Sequence, residues 1–263
     1  MRAAARGSRG GRWCRVRLGR TGGSVVDKVA AVIERLDERY GRKAWRSHGV
    51  PIDQLVGTIL SQHTSDTNTA RAFAALKARF PTWSAARAAP AGEIADAIRS
   101  GGLAEMKAPR IKAILAEIED ERDDFDLEFL GEMPLDEALA WLMALHGVGP
   151  KTAACVLLFS LGRPAMPVDT HVHRLSRRLG LVGPKVSAEA THGALEALLG
   201  GERDVIYSFH LNAIAHGRAV CRAPTPRCEA CHLTDLCDDY ASRHPRGDHE
   251  RPFPPHPAPN NHG

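Results

Sequence analysis

Aromatic residues are scarce in this chain, and long apolar runs are missing. Phe, Trp and Tyr make up 5% of 263 residues. Strands favour aromatic and β-branched residues, and no segment alternates apolar and polar with a period of two. A β-rich fold is therefore not expected. The longest apolar candidate, Ala153 to Phe159, has seven residues, against the roughly 18–20 that span a bilayer. No membrane partner is expected. Residues 1–20 contain no acid, and they lack the apolar stretch of a secretory signal. No internal repeat is visible.

Hydrophobic residues at 43% exclude wholesale disorder. The net charge of +4 is too small to argue for nucleic acid by itself. It conceals an asymmetry. Residues 1–20 carry seven Arg, whereas residues 117–126 (EIEDERDDFD) carry seven acids and one Arg. The acidic block is expected to be solvated and away from any site. Residues 1–23 read as a disordered basic tail, or as the product of a start codon set too far upstream. Residues 241–263 hold six Pro and read as a second tail.

The part between reads as helices. Val26, Val29, Ile33 and Leu36 share one helical face, and Ile52, Leu55, Val56, Ile59 and Leu60 repeat the pattern behind Pro51. Apolar residues recur at helical spacing near 94–98, after Pro109, and over 135–145, 152–161, 172–179, 188–199 and 205–215. The fold class is all-α.

Three motifs carry chemistry. Cys221, Cys228, Cys231 and Cys237 lie in the spacing C-x6-C-x2-C-x5-C. Disulfides would need an oxidising compartment. Structural zinc favours two short knuckles, and only one is present. Four thiolates on a tight loop also suit a cubane iron–sulfur cluster, although neither common ferredoxin run has this spacing. Arg222 and Arg227 beside the loop could clamp a phosphate or only balance the sulfurs. Cys155 reads as a small buried hydrophobe.

The second motif is Leu145-His146-Gly147-Val148-Gly149-Pro150-Lys151-Thr152-Ala153. Two Gly around an apolar residue, between helical segments, make a tight hairpin in which Val148 can enter the core. Pro150 suits the first turn of a helix. The N–H groups there form an anion site suited to a DNA phosphate. Lys151 reads as a phosphate-neutralising cation or, with its ammonium form disfavoured, as a Schiff-base nucleophile.

The third motif is Val168-Asp169-Thr170-His171-Val172-His173-Arg174. Asp169 reads first as a helix N-cap; a carboxylate there could also stabilise a cationic sugar. His171 and His173 diverge on a helix and lack a third ligand. The acid-free stretch holding Arg174, Arg177, Arg178 and Lys185 reads as a basic patch facing DNA.

These motifs, in this order, resemble the endonuclease III family of base-excision DNA glycosylases, of the helix-hairpin-helix superfamily with a Gly/Pro-rich loop and a catalytic Asp. The resemblance covers about residues 25–240. It implies two helical lobes: a six-helix barrel over 45–163 with its hairpin at 135–161, and a discontinuous iron–sulfur lobe of 24–44 plus 164–240. A [4Fe–4S] cluster would sit on the four Cys, and Lys151 and Asp169 would be catalytic. The substrate would be double-stranded DNA carrying a damaged base or an abasic site, with the nucleotide flipped into the cleft. Implied DNA contacts are Gly147, Val148, Gly149, Thr152, His171, Arg222 and Arg227, with Leu103 wedged opposite the lesion. Where the family reads L-S-A-Q-A-T-D, this chain reads Leu60-Ser61-Gln62-His63-Thr64-Ser65-Asp66. His63 thus stands at the Gln that fills the flipped nucleotide's place, with Gln62 one earlier. The implied enzyme is a monomeric, bacterial, cytoplasmic and nucleoid-associated glycosylase with AP lyase activity on oxidised pyrimidines. The alternatives are a glycosylase for mismatched or other bases on the same fold, and a non-catalytic iron–sulfur DNA-binding protein.

Overall fold

The computed structural model describes residues 25–244. Both expected tails lie outside that range except 241–244. There the chain departs from expectation, because a last helix, Asp238–Arg243, runs past residue 240. Twelve α-helices and no strand occur among the described residues. None is long and apolar enough to cross a membrane.

Two clusters of buried side chains organise these helices. The first gathers α2 (Pro51–Leu60), α3 (Asp66–Arg79), α4 (Trp83–Ala88), α5 (Ala91–Ile98), α6 (Ala104–Arg122), α7 (Leu135–Ala144) and part of α8 (Pro150–Phe159). Six of these helices have eight or more residues. The additional one is the short α4, capped by the Thr82 hydroxyl, which accepts from the Ala85 N–H. Leu55, Ile59, Ile111 and Leu115 are fully buried in this cluster, each worth roughly 1.5–3 kcal/mol of transfer free energy. The second gathers α1 (Val25–Tyr40), α9 (Thr170–Leu179), α10 (Ala188–Leu198), α11 (Arg203–Ala219) and the cysteine loop.

Helix α8 serves both clusters. Ala153, Ala154, Val156 and Leu157 face the first, while Cys155, Leu158 and Phe159 face the second. Trp45 also packs on the second cluster, and its Nε1 donates to the Leu158 carbonyl at 2.7 Å.

Two local readings need correction. In α1 the buried face is Val29, Val32 and Leu36, and Val26 is 53% exposed. Helix α6 does not begin after Pro109 but five residues before it, at Ala104. Pro109 and Glu105 are both exposed, so water can bond the Glu105 carbonyl that the proline leaves unpaired.

Candidate active site and DNA interface

The hairpin forms as its glycines require. Helix α7 ends at Ala144, Gly147 takes a φ of +72°, and Gly149 caps α8 with Pro150 in its first turn. Val148 is buried in the first cluster. The turn is braced from α6: Glu117 Oε2 accepts the His146 N–H at 2.7 Å, and the Arg110 side chain lies against Gly147. The acidic block is thus not merely solvated. Glu119 pairs with Arg87, and Glu121 accepts the Trp141 indole N–H at 2.6 Å.

Lys151 emerges, half-buried, from the first turn of α8. Asp169 caps α9, its Oδ1 accepting the Val172 N–H at 2.8 Å. The cap reading is therefore correct, and the second carboxylate oxygen is not used in that bond. Cys155, one turn beyond Lys151, is buried, and the lysine lies close enough to act on its thiol. Burial pushes that thiol's pKa up. Cys155 and His210 each sense the charges of both Lys151 and Asp169. The four groups therefore share one neighbourhood between α8, α9 and α11.

The chain approaching Asp169 is held by three side chains invisible to motif reading. His192 Nδ1 meets the Met166 carbonyl at 2.7 Å, and Glu196 Oε1 accepts the Met166 N–H at 2.8 Å. His210 Nδ1 meets the Pro167 carbonyl at 2.9 Å. Burial pushes the His210 imidazole down to about 4, so it is neutral at pH 7 and Nδ1 carries the proton.

His171 and His173 part as expected. His173 Nε2 meets the Val186 carbonyl at 3.0 Å, whereas His171 Nδ1 meets Arg174 Nη2 at 3.0 Å. The basic patch is only half of what was expected. Arg174 donates to the Cys221 and Gly217 carbonyls at 2.9 and 3.0 Å. Arg178 donates to Cys221 Sγ at 3.3 Å, and to the Arg222 and Pro224 carbonyls. Both hold the cysteine loop, leaving Arg177 and Lys185 exposed. Arg222 and Arg227 are exposed too. Arg218 crosses between the lobes to Asp66 at 2.9 Å.

The four cysteines form no disulfide and line one hollow, beside Arg178, His216 and Arg243. Arg243 Nη2 lies 3.5 Å from Cys228 Sγ, and the Leu233 N–H points at Cys231 Sγ from 3.4 Å. Burial pushes the Cys231 thiol up to about 12. Among the described residues, no three His, Cys, Asp or Glu side chains are grouped as one metal ion requires.

Leu103 is 48% exposed at the start of α6 with a φ of +51°. His63 is exposed with a φ of +56°. Gln62 is instead tied back, its Oε1 accepting from Arg110 Nη1 at 2.9 Å.

A helical hairpin with a glycine turn, set between two helical lobes, defines a helix-hairpin-helix protein. The profile of the HhH-GPD superfamily of base excision DNA repair proteins matches residues 56–200. Endonuclease III of Thermotoga maritima is 34% identical over 214 residues, covering 81% of this chain and 95% of that protein. An Arabidopsis thaliana protein designated a candidate DNA glycosylase is 40% identical over 169 residues, 64% of this chain. The chain spans 56% of that plant relative's length. A solved non-covalent endonuclease III–DNA complex superposes with a TM-score of 0.70 at 28% identity, covering 83% of this chain and 97% of the other. The chain belongs to the HhH-GPD superfamily of base excision DNA repair proteins, in its endonuclease III-like branch.

Proposed function

We propose that this protein is a bifunctional DNA N-glycosylase and AP lyase acting on damaged, oxidised pyrimidines in duplex DNA. The observation that carries this reading is Lys151 on the hairpin helix in one neighbourhood with Asp169. A likeness to a trapped endonuclease III–DNA covalent intermediate, with a TM-score of 0.70, supports it.

The mechanism follows from these side chains. Lys151 Nζ, as the free amine, supplies the electron pair that bonds to sugar C1′. The C1′–N bond breaks, and its electrons leave with the base, which takes up a proton. Asp169 balances the positive charge that develops on the sugar. Ring opening gives a Schiff base at C1′. Loss of a C2′ proton then expels the 3′ phosphate by β-elimination, and water releases Lys151. The α8 N-terminus offers N–H groups to a backbone phosphate, which exposed Arg222 and Arg227 help to hold. His63 fills the gap left by the flipped nucleotide, and Leu103 wedges in opposite the lesion.

The cysteine hollow fits a [4Fe–4S] cluster. Four cysteines line one space, and Arg178 and Arg243 face two of the sulfurs. Cys221, Cys228, Cys231 and Cys237 would hold it as thiolates. Held there, such a cluster would cross-link the loop that presents Arg222 and Arg227. The protein acts as a monomer in the bacterial cytoplasm at the nucleoid.

Borohydride should trap a covalent complex with abasic-site DNA, and Lys151→Gln should abolish the trapping. Trapping that survives this change would refute the lyase assignment. Duplexes carrying thymine glycol, dihydrouracil, uracil or a G·T mismatch then rank the substrates; a preference for the mismatch would overturn the oxidised-pyrimidine assignment.

A further inference from the structure

One face of α6 touches three of the loops assigned to DNA. Lys107, Arg110 and Glu117 are spaced by three and seven residues, so they share a stripe. Lys107 is 4% exposed, a rare state for lysine. Its Nζ donates to the Leu60 carbonyl at 2.8 Å and to the Gly101 carbonyl at 2.9 Å. Leu60 is the last residue of α2, whose terminal carbonyls lack helical partners and attract a cation. Gly101 lies two residues before Leu103. One buried ammonium thus ties the loop bearing His63 to the turn bearing Leu103.

Arg110 continues the tie. It bonds Gln62 at 2.9 Å and lies so close to Gly147 that a Cβ there would come within 2.8 Å of its Nε. Glu117 completes the stripe at the His146 N–H.

The backbone adds an independent observation. Three non-glycine residues take positive φ among the described residues, and two of them are His63 and Leu103. Such conformations persist where the surroundings over-determine them, and these two lie three and two residues beyond the carbonyls that Lys107 holds.

We propose that Lys107 and Arg110 are positioning residues for lesion recognition. They hold the Leu60–His63 loop, the Gly101–Leu103 turn and the hairpin in one register, so that both wedge residues enter the duplex together. This rests on the wedge assignment made above for Leu103 and His63.

The test uses the full chain and a duplex with a tetrahydrofuran abasic-site analogue, 2-aminopurine being placed opposite it. Affinity for this duplex is compared with affinity for undamaged duplex. Lys107→Met should lower the preference for the analogue at least tenfold and abolish the 2-aminopurine signal, with undamaged-duplex affinity within twofold. Added to a protein carrying both Leu103→Ala and His63→Ala, it should do no more harm than those two changes alone. A Lys107→Met protein with native circular dichroism and full preference would overturn the proposal, as would additive effects. Arg110→Met is the second variant, because Arg110 is only half-buried and its loss strands no buried carbonyl. It should lose several-fold preference, and full retention would overturn the proposal even if Lys107→Met does not fold. Unchanged preference in Leu103→Ala would instead remove the wedge, and the positioning role with it. Borohydride trapping through Lys151 would report separately on the proposed chemistry.

Discussion

Replacing Gly147 by Ala separates the hairpin's shape from its contact with DNA. Gly147 has a φ of +72°, which costs an L-residue roughly 1–2 kcal/mol. The new Cβ would lie 2.8 Å from Arg110 Nε and 3.2 Å from its Cδ and Cζ. Arg110 must therefore move, and its 2.9 Å bond to Gln62 is lost, at roughly 1 kcal/mol for a half-exposed charged bond. The total of about 2–3 kcal/mol should lower the melting temperature by roughly 4–12 °C for a folded unit of this size. Gly149→Ala is the internal control. Its φ is −96°, and nothing lies within 4 Å of its added Cβ. It should melt within a few degrees of wild type, since Gly to Ala at an N-cap costs under about 1 kcal/mol. Its methyl group, however, would stand where a phosphate approaches the α8 N-terminus, so DNA affinity should fall by about fivefold or more. Melting curves and fluorescence anisotropy on undamaged duplex read the two effects separately. Equal melting temperatures for the two variants would refute the steric argument. Wild-type affinity in Gly149→Ala would refute the phosphate site.

The remaining predictions concern chemistry, acid and the cysteine loop. Asp169→Asn keeps the cap, because Asn caps as well as Asp; stability should stay within about 0.5 kcal/mol while base excision falls on the order of 100-fold. Asp169→Ala should lose a further ~1 kcal/mol in urea melts, and a normally active Asn variant would count against the catalytic role. Acidification should destabilise the protein as pH falls from about 6.5 towards 4, because the unfolded chain binds the proton that native His210 refuses. The share of His210 in the loss between pH 7 and pH 5 should be on the order of 2 kcal/mol, and His216, pushed down to about 3 by burial, adds to it. His192, also lowered by burial, adds to it, whereas Glu196, raised by burial, opposes it. A folded His210→Gln variant should show a shallower dependence, and identical pH slopes would exclude His210 as the source. Purified protein should be brown, and Cys228→Ser should bleach it and weaken DNA binding. A colourless, zinc-loaded and fully active preparation would defeat the cluster assignment.

Much of the site was legible because its residues are local in sequence. The Gly-Val-Gly-Pro turn dictates its own shape, and Asp169 before an amphipathic run announces a cap. The four-Cys spacing announces a shared loop. What stayed hidden depends on partners far along the chain. Lys107 lies 47 residues from Leu60, and a lysine between apolar helix positions reads as a surface residue. His210 looks like one more residue on α11, and only tertiary packing brings it to Pro167, 43 residues away. The start of α6 was misread because proline usually marks a boundary. Its penalty here falls on an exposed face, where water can substitute for the lost bond.

Charge is where the sequence misled most. An acid-free run around Arg174 and Arg178 looks like a DNA-facing patch, yet both guanidiniums are committed to carbonyls of the cysteine loop and of α11. An arginine with its donors in such bonds releases few counterions when DNA arrives. It should contribute little to the salt dependence of binding, which counts the phosphates that basic groups neutralise. Arg222 and Arg227 are exposed, and each should contribute about one unit to that slope. Arg178→Met should therefore act differently from Arg222→Met. Arg222→Met should reduce the salt slope and leave the protein's stability alone. Arg178→Met should loosen the loop and bleach the protein, changing DNA binding only through the arginines that the loop presents.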